Sequence, residues 1–432
     1  MRLDFPKASL QAISDYQSTR NGQLNDAYFP ANLTVDMGDG KPLNFPEVGV
    51  RMKGNTSRGP IVNGYSLTPR HFKVSLKATF DGEEYDTYPA LKPFRKTWDD
   101  AAARKERKNR NLFGLEKFDL KYVPRNNNWA YDGNINECSA REIYCFDTFR
   151  KAGVMAPYAN IVILRVDNGA NSYNSFYELI EPIDKEFLKK RLGKNEAKGD
   201  LYKCVYNAMG RADLTRDGAV EKEEIDGQTV GTRIAGGKIG VENNYNLYQP
   251  VYQLKTNDDL GEASDFSSMA NFINANWNLR YGNPGATTIS DILDVDSFLS
   301  FSAVSHLLGN FDDQFYNWNN YYLYFLLSNG KAYYIPYDWD WPLGLGGYDL
   351  VYQSPIGEWT LGSGTPSSVY YNTYLTPGNI QNAYLAKIES LKTKVLDPDA
   401  FFDLVERLGI KDNEVDQVTN YMESKLASLE TN

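Results

Sequence analysis

Hydrophobic and polar positions alternate in short runs through the first half of this chain and recur at helical spacing through much of the second. In VGVRMKG, Val48, Val50 and Met52 alternate with Gly49, Arg51 and Lys53, the two-residue period of a half-buried strand. HFKVSLKATF repeats it, with Phe72, Val74 and Leu76 set against Lys73, Ser75 and Lys77. Lys117–Tyr122, Ala159–Val166, Ser175–Glu181 and residues 200–206 read as further strands. Among them only Asn136–Ala152 reads as a helix, with Ile143, Phe146 and Phe149 on one side and Gly153 as its stop. Helical spacing then takes over at Phe266–Trp277, Asp296–Leu308, Ile380–Leu396, Ala400–Leu408 and Val415–Leu429. The second of these is expected to turn Phe298, Phe301 or Ser302, and Leu308 inward.

This order predicts an α+β chain of two unequal lobes. Residues 1–45, with Pro, Gly and Asn throughout, read as an irregular N-terminal extension. Residues 46–184 form a strand-rich small lobe with one main helix, in which 81–114 is a charged insertion. Residues 185–432 form a helical large lobe. That lobe carries the one strong hairpin, in the stretch 309–346: Tyr321–Leu327 and Ala332–Tyr337 are apolar and aromatic, joined at Ser328-Asn329-Gly330. Asp312 and Asp313 precede it with Asn317, Asn319 and Asn320, and Asp338-Trp339-Asp340 follows it.

Composition narrows the function. A net charge of −10 argues against nucleic acid as a partner, because phosphate contacts need clustered Lys and Arg. The one basic run, Arg104–Arg110, reads as a solvated face. Two histidines and three cysteines without metal-ligand spacing argue against a zinc site. Cys138 and Cys145 would stand about 10 Å apart on one helix, too far for a disulfide. No apolar run reaches the length of about eighteen residues that a membrane span needs. A secreted or cell-surface protein with its signal removed and a cytoplasmic one both fit the sequence.

The spacing around the hairpin suggests chemistry. In a protein-kinase-like site, an Asp faces the accepting hydroxyl and an Asn about five residues on binds magnesium. A hairpin follows, then an Asp that holds the metal on the nucleotide phosphates. Here Asp312 is followed by Asn317, then the hairpin, then Asp338. Upstream, the loop after the first strand carries Ser57 and Arg58, and Lys73 lies on the next strand, an order that suits a phosphate cradle. A different acidic pattern lies at Asp213–Glu224, where Asp213, Asp217, Gly218 and Glu224 fill four positions of a calcium loop. Thr215 breaks that pattern, and an acidic surface loop explains it equally.

Several pieces in one order resemble the CotH kinase family, the spore-coat-protein-type atypical kinases. They are VRMKGNTSRG, RHFKVSL, SAREIYCFDTFRKAGVMAP, FYELIEPIDKEFLKKRLG, GDLYKC and the 309–346 stretch with its NFD and PYDWD. The resemblance implies a divergent protein-kinase-like two-lobed fold that uses ATP with Mg²⁺ or Mn²⁺ to phosphorylate a protein substrate. It places the catalytic Asp on Asp312 and the metal-binding Asp on Asp338, where Tyr337 stands in place of the family's Trp. Asp340 becomes a further metal ligand. The family's Asn aligns with Asn320 while kinase spacing selects Asn317, so both stay open. The basic strand residue falls on Arg70 or Lys73, with Lys73 preferred for phosphate contact and Lys121 its rival. Glu142 or Glu137 would pair that lysine, Glu181 would mark the hinge, and Ser57 and Arg58 would line the phosphate loop.

Other readings use the same residues. A pseudokinase or scaffold would keep the pocket without transfer, and nucleotidylation or glutamylation would use the same ATP. A carbohydrate-processing protein would exploit the 31 Tyr and seven Trp around Asp338 and Asp340. On one strand, however, those two carboxylates would sit closer than the separation of about 5 Å that glycoside hydrolysis uses.

Overall fold

The computed structural model describes residues 1–19, 24–54, 57–123, 139–206, 212–214, 220–225, 228–234, 251–257, 267–282, 288–345, 351, 354–356, 373–412 and 414–430. The chain divides into two compact units. The first comprises Met1–Ser139, Ala159–Pro182 and Leu408–Asn413. The second comprises Ala140–Tyr158, Ile183–Arg407 and Glu414–Asn432. Among the described residues no helix is long and apolar enough to cross a membrane.

The first unit is built on a closed barrel. Its elements are β1 (Arg2–Asp4), α1 (Lys7–Gln17), β2 (Phe29–Val35), β3 (Leu43–Met52), β4 (Val62–Asn63), β5 (Ser66–Leu67), β6 (Phe72–Ser75), α2 (Glu84–Thr87), α3 (Ala101–Lys108) and β7 (Lys117–Tyr122). The helix α4 (Arg141–Lys151) belongs to the second unit, and the chain then returns for β8 (Ala159–Asp167) and β9 (Ser172–Ile180). The barrel runs β1-β2-β3-β6-β7-β9-β8, with β1 and β8 closing it in parallel. Val50, Met52, Phe72, Val74, Phe118, Leu120, Leu164 and Val166 are buried in its core, and the alternation seen in sequence is the inside–outside alternation of its wall.

Three expectations change here. Residues 1–45 are not irregular: β1, α1 and β2 are structural, and Leu3, Leu10, Ile13, Phe29 and Leu33 join the core. Their strands are short and their Pro and Asn residues mask the period, which explains the misreading. The strands close into a barrel, a feature that alternation alone does not record. The charged insertion is also part of the core, since Phe80, Tyr85, Leu91 and Leu112 are buried in it. Within the basic run, Arg107 is buried, not solvated. Its guanidinium donates to the Glu47 and Ala78 carbonyls and to the Glu47 carboxylate, and stacks 4.9 Å from the Trp98 ring centre.

The second unit continues with α5 (Lys185–Glu196), β10 (Leu201–Cys204), β11 (Val220–Ile225), β12 (Gln228–Ile234), β13 (Tyr252–Leu254), α6 (Ser267–Tyr281), α7 (Ile289–Ile292), α8 (Val295–Leu308), β14 (Tyr321–Phe325), β15 (Ala332–Pro336), α9 (Gln381–Val395), α10 (Pro398–Leu408) and α11 (Val415–Glu430). The hairpin β14–β15 is not alone: it forms a four-stranded sheet in the order β13-β10-β14-β15. Its turn closes as expected, with Gly330 at φ 69° and its N–H on the Leu326 carbonyl. The helix α8 is buried on every face from Phe298 to Leu308, so its expected one-sided pattern does not hold. Asp294 caps it by accepting from the Ser297 N–H, and left-handed Gly309 ends it. α4 begins at Arg141; of the helix expected from 136, residues 136–138 lie outside the described residues.

Candidate active site

The end of α8 delivers the chain into the loop that carries Asp312. Asp313, fully buried, organises this loop: its carboxylate accepts from the Phe315 and Tyr316 N–H groups at 2.8 and 3.0 Å. Its backbone carbonyl accepts from the Asn317 and Asn319 N–H groups, both at 3.1 Å. Burial pushes its carboxyl well above the usual range.

The turn so formed points three carboxamides at one carboxylate. Asn317 Nδ2 and Asn319 Nδ2 donate to Asp312 Oδ1 at 2.6 and 3.2 Å. Asn320 Nδ2 donates to Asp312 Oδ2 at 2.9 Å and to the Asp312 carbonyl at 3.0 Å. Burial foremost pushes the Asp312 carboxyl up to about 6; the amides of Asn317 and Asn319 oppose that, and the charges of Asp338 and Asp340 add to it. The charges of the two aspartates that follow the hairpin thus reach the one that precedes it.

Three links zip the two loops together. The Leu343 N–H donates to the Leu308 carbonyl at 2.8 Å, the Tyr337 N–H donates to the Asn320 carbonyl at 3.2 Å, and the Phe311 and Trp341 rings meet edge to face at 4.8 Å. Four non-glycine residues here hold left-handed backbones: Trp318, Asn320, Asp338 and Leu343, with φ between 51° and 59°. Such conformations cost on the order of 1 kcal/mol or more each and cluster where function holds them. Asp338 lies beyond the end of β15 at Pro336, so the strand geometry expected for Asp338 and Asp340 does not apply.

The open choice between asparagines also takes physical form. Asn319 uses its carbonyl oxygen to accept from the Tyr206 N–H at 2.7 Å. Asn317 and Asn320 accept no hydrogen bond at Oδ1 among the described residues, so both keep an oxygen that a hard cation can use. With the Asp338 and Asp340 carboxylates, the donor set is all oxygen, which suits Mg²⁺ or Mn²⁺ and not zinc. Among the described residues no three His, Cys, Asp or Glu side chains gather as a metal cage. A magnesium ion in a kinase-type site keeps waters and substrate phosphates and needs few protein carboxylates.

The other expected site residues belong to the first unit, apart from Glu142 and the calcium loop. Gly54, at φ 101°, lets the Ser57 hydroxyl approach where a Cβ would stand. Arg58 donates to the Gly54 and Gln17 carbonyls and to Asn25 Oδ1 at 2.8 to 3.0 Å, which ties the loop down. Burial, with Arg51 nearby, lowers its pKa to about 10. Lys73 stands in register with Arg51 on one side and Asp119 on the other, and forms no ion pair among the described residues. Asp119, which the sequence did not single out, pairs with Lys53 at 2.8 Å. Burial works to raise its carboxyl, but Lys53, Lys73 and Arg51 together hold it below the usual value. Lys121 is buried and in register with Glu178 of β9. Glu181 follows β9, just before the chain enters the second unit at Ile183.

Two further outcomes concern residues outside these groups. Glu142 is buried and accepts from the Trp339 N–H at 2.9 Å, a role the pattern of residues could not signal; Glu137 lies outside the described residues. In the calcium pattern, Asp213 is buried, Asp217 and Gly218 lie outside the described residues, and Glu224 falls in β11, a strand paired with β12.

A profile of the CotH kinase protein family matches residues 80–425. The matched stretch includes Glu181, Asp312, Asn317, Asn320, Asp338 and Asp340, and begins after Ser57, Arg58 and Lys73. Comparison with curated proteins gives no match. With the family profile covering most of its length, the chain belongs to the CotH kinase protein family.

Proposed function

We propose that the protein is an ATP- and metal-dependent protein kinase that transfers the γ-phosphate to a side-chain hydroxyl of a protein substrate, a Ser or Thr. The observation that carries this reading is the Asp312 carboxylate. It is steered by three asparagines, raised toward neutrality by burial, and set in the field of Asp338 and Asp340. A group of that kind accepts a hydroxyl proton at neutral pH.

In this reading Asp338, Asp340 and the Oδ1 atoms of Asn317 and Asn320 hold Mg²⁺ or Mn²⁺, which neutralises charge on the nucleotide phosphates when bound. Lys73, which forms no ion pair among the described residues, meets phosphate, while Ser57 and the backbone tied down by Arg58 shape that loop. Glu181 contributes at the nucleotide. The two units take the parts of the small and large lobes of a divergent kinase-like fold, the small one closed into a barrel.

Incubation of the protein with an acceptor protein and ATP labelled at either the γ or the α phosphate tests this. Label transferred from γ alone supports phosphorylation. Label from α means nucleotidyl transfer, and label from neither removes the kinase reading.

A further inference from the structure

We propose that Glu142, together with its neighbour Arg141, is a positioning residue that sets the conformation of the acidic loop Asp338–Leu343. The inference rests on the reading that Asp338 and Asp340 hold the metal.

Glu142 Oε1 accepts the Trp339 N–H at 2.9 Å. That N–H belongs to the peptide joining Asp338 to Trp339, so fixing it fixes where the Asp338 side chain emerges. Asp338 is left-handed at φ 58°, a conformation that L-residues adopt rarely and at a cost. The Trp339 ring, fully buried, packs edge to face on Phe149 of the same helix at 4.7 Å. α4 thus holds residue 339 by backbone and ring together.

Arg141 holds the other end. Its Nη1 donates to the Pro342 and Leu343 carbonyls at 2.5 and 2.7 Å. Leu343 is the second left-handed residue of the loop, at φ 59°. Arg141 is itself anchored by Glu414 at 3.1 Å and Gln417 at 3.3 Å, both at the start of α11. Gln417 also donates to the Gly344 carbonyl at 2.8 Å. Two adjacent residues at one helix start therefore grip both ends of a short segment whose two strained residues lie at those ends. Between the grips stand the two acids.

The role differs from the lysine pairing that the sequence raised for Glu142. A backbone N–H needs an acceptor oxygen, not a negative charge. Glutamine supplies that oxygen and alanine does not.

The test measures two quantities on the full chain: Mn²⁺ binding by electron paramagnetic resonance, and hydrogen exchange at the Trp339 amide. Glu142→Ala is expected to weaken Mn²⁺ binding at least tenfold and to expose the Trp339 amide. Glu142→Gln is expected to stay within about threefold of wild type and to keep the amide protected. Tyr144→Phe, on the same helix, loses a hydrogen bond to the Val395 carbonyl and is expected to melt lower with unchanged Mn²⁺ affinity. Wild-type Mn²⁺ affinity in Glu142→Ala, or a Glu142→Gln variant as weak as a Glu142→Ala one, overturns the inference. If Glu142→Ala does not fold, Glu142→Gln decides alone. If the wild type does not bind Mn²⁺, or Asp338→Ala binds it normally, the metal reading fails instead. The Trp339 amide then still decides whether Glu142 holds the loop.

Discussion

Asn317 donates its carboxamide to Asp312 Oδ1 at 2.6 Å, the shortest of the bonds that converge on that carboxylate. The asparagine is thereby oriented with its amide toward the acid and its oxygen turned away. In the proposed reading, one side chain steers the proton acceptor and presents a ligand oxygen at the same time. Asn320 has the same arrangement from the other carboxylate oxygen.

Asp312→Ala is expected to lower phosphate transfer by about a hundredfold to ten-thousandfold, the usual worth of a positioned acid–base group. Nucleotide and Mn²⁺ affinity should stay within a few-fold. Single-turnover transfer and equilibrium binding on the same preparation check this. Normal transfer by the variant removes the role.

The asparagines should separate by what their oxygens do. Asn317→Ala and Asn320→Ala are expected to weaken Mn²⁺ binding several-fold. Asn319→Ala should not, because Asn319 Oδ1 is already engaged by the Tyr206 N–H. Titration of Mn²⁺ into the three variants reads the difference.

The pH dependence follows from the Asp312 carboxyl at about 6, above its ordinary 3.8. It must be ionised to accept a proton, so kcat/KM should rise through pH 6 and level above it. Stability runs the opposite way. A group whose folded pKa is raised binds extra protons in the native state between the two values. Its contribution is present below about pH 4 and is lost as pH rises through 6. The metal-free protein should gain stability on acidification from pH 7 to pH 5 through this group, and Asp312→Ala should shrink that gain. Denaturant unfolding at the two pH values measures it.

Arg107→Ala is expected to destabilise the first unit by about 3 kcal/mol. It removes a buried cation and leaves the Glu47 and Ala78 carbonyls without their donor. Mn²⁺ binding should be unaffected. Denaturation and metal titration together check both halves of that expectation.

Much of this was legible in the residues because alternation survives wherever strands are long. Lys117–Tyr122 was read with the bounds the structure has, and the hairpin was read within two residues at each end. β1 escaped because three residues carry no period, and β13 for the same reason. The acids of the candidate site stood out by their spacing around the hairpin. The groups that hold them did not. Asp313 looked like one more acid in an acidic loop. Arg141 drew no notice within the helix read from Asn136, and Asp119 looked like the polar half of an alternating strand. The role of Asp313 comes from the turn it folds around itself, that of Arg141 from carbonyls about 200 positions away and that of Asp119 from Lys53, 66 positions earlier, none of which alternation or helical spacing records.

Closure of the barrel by β1 against β8 has a kinetic consequence. Leu3 pairs with Val166, so the first strand must wait for a partner more than 160 positions downstream. During synthesis the β1–β2–β3 meander can form early but keeps one open edge until β8 emerges. Loop-closure entropy for so distant a pairing slows folding. An unpaired edge left open meanwhile is a place for a second chain to add. Refolding from denaturant should therefore be slow, and its yield should fall as protein concentration rises.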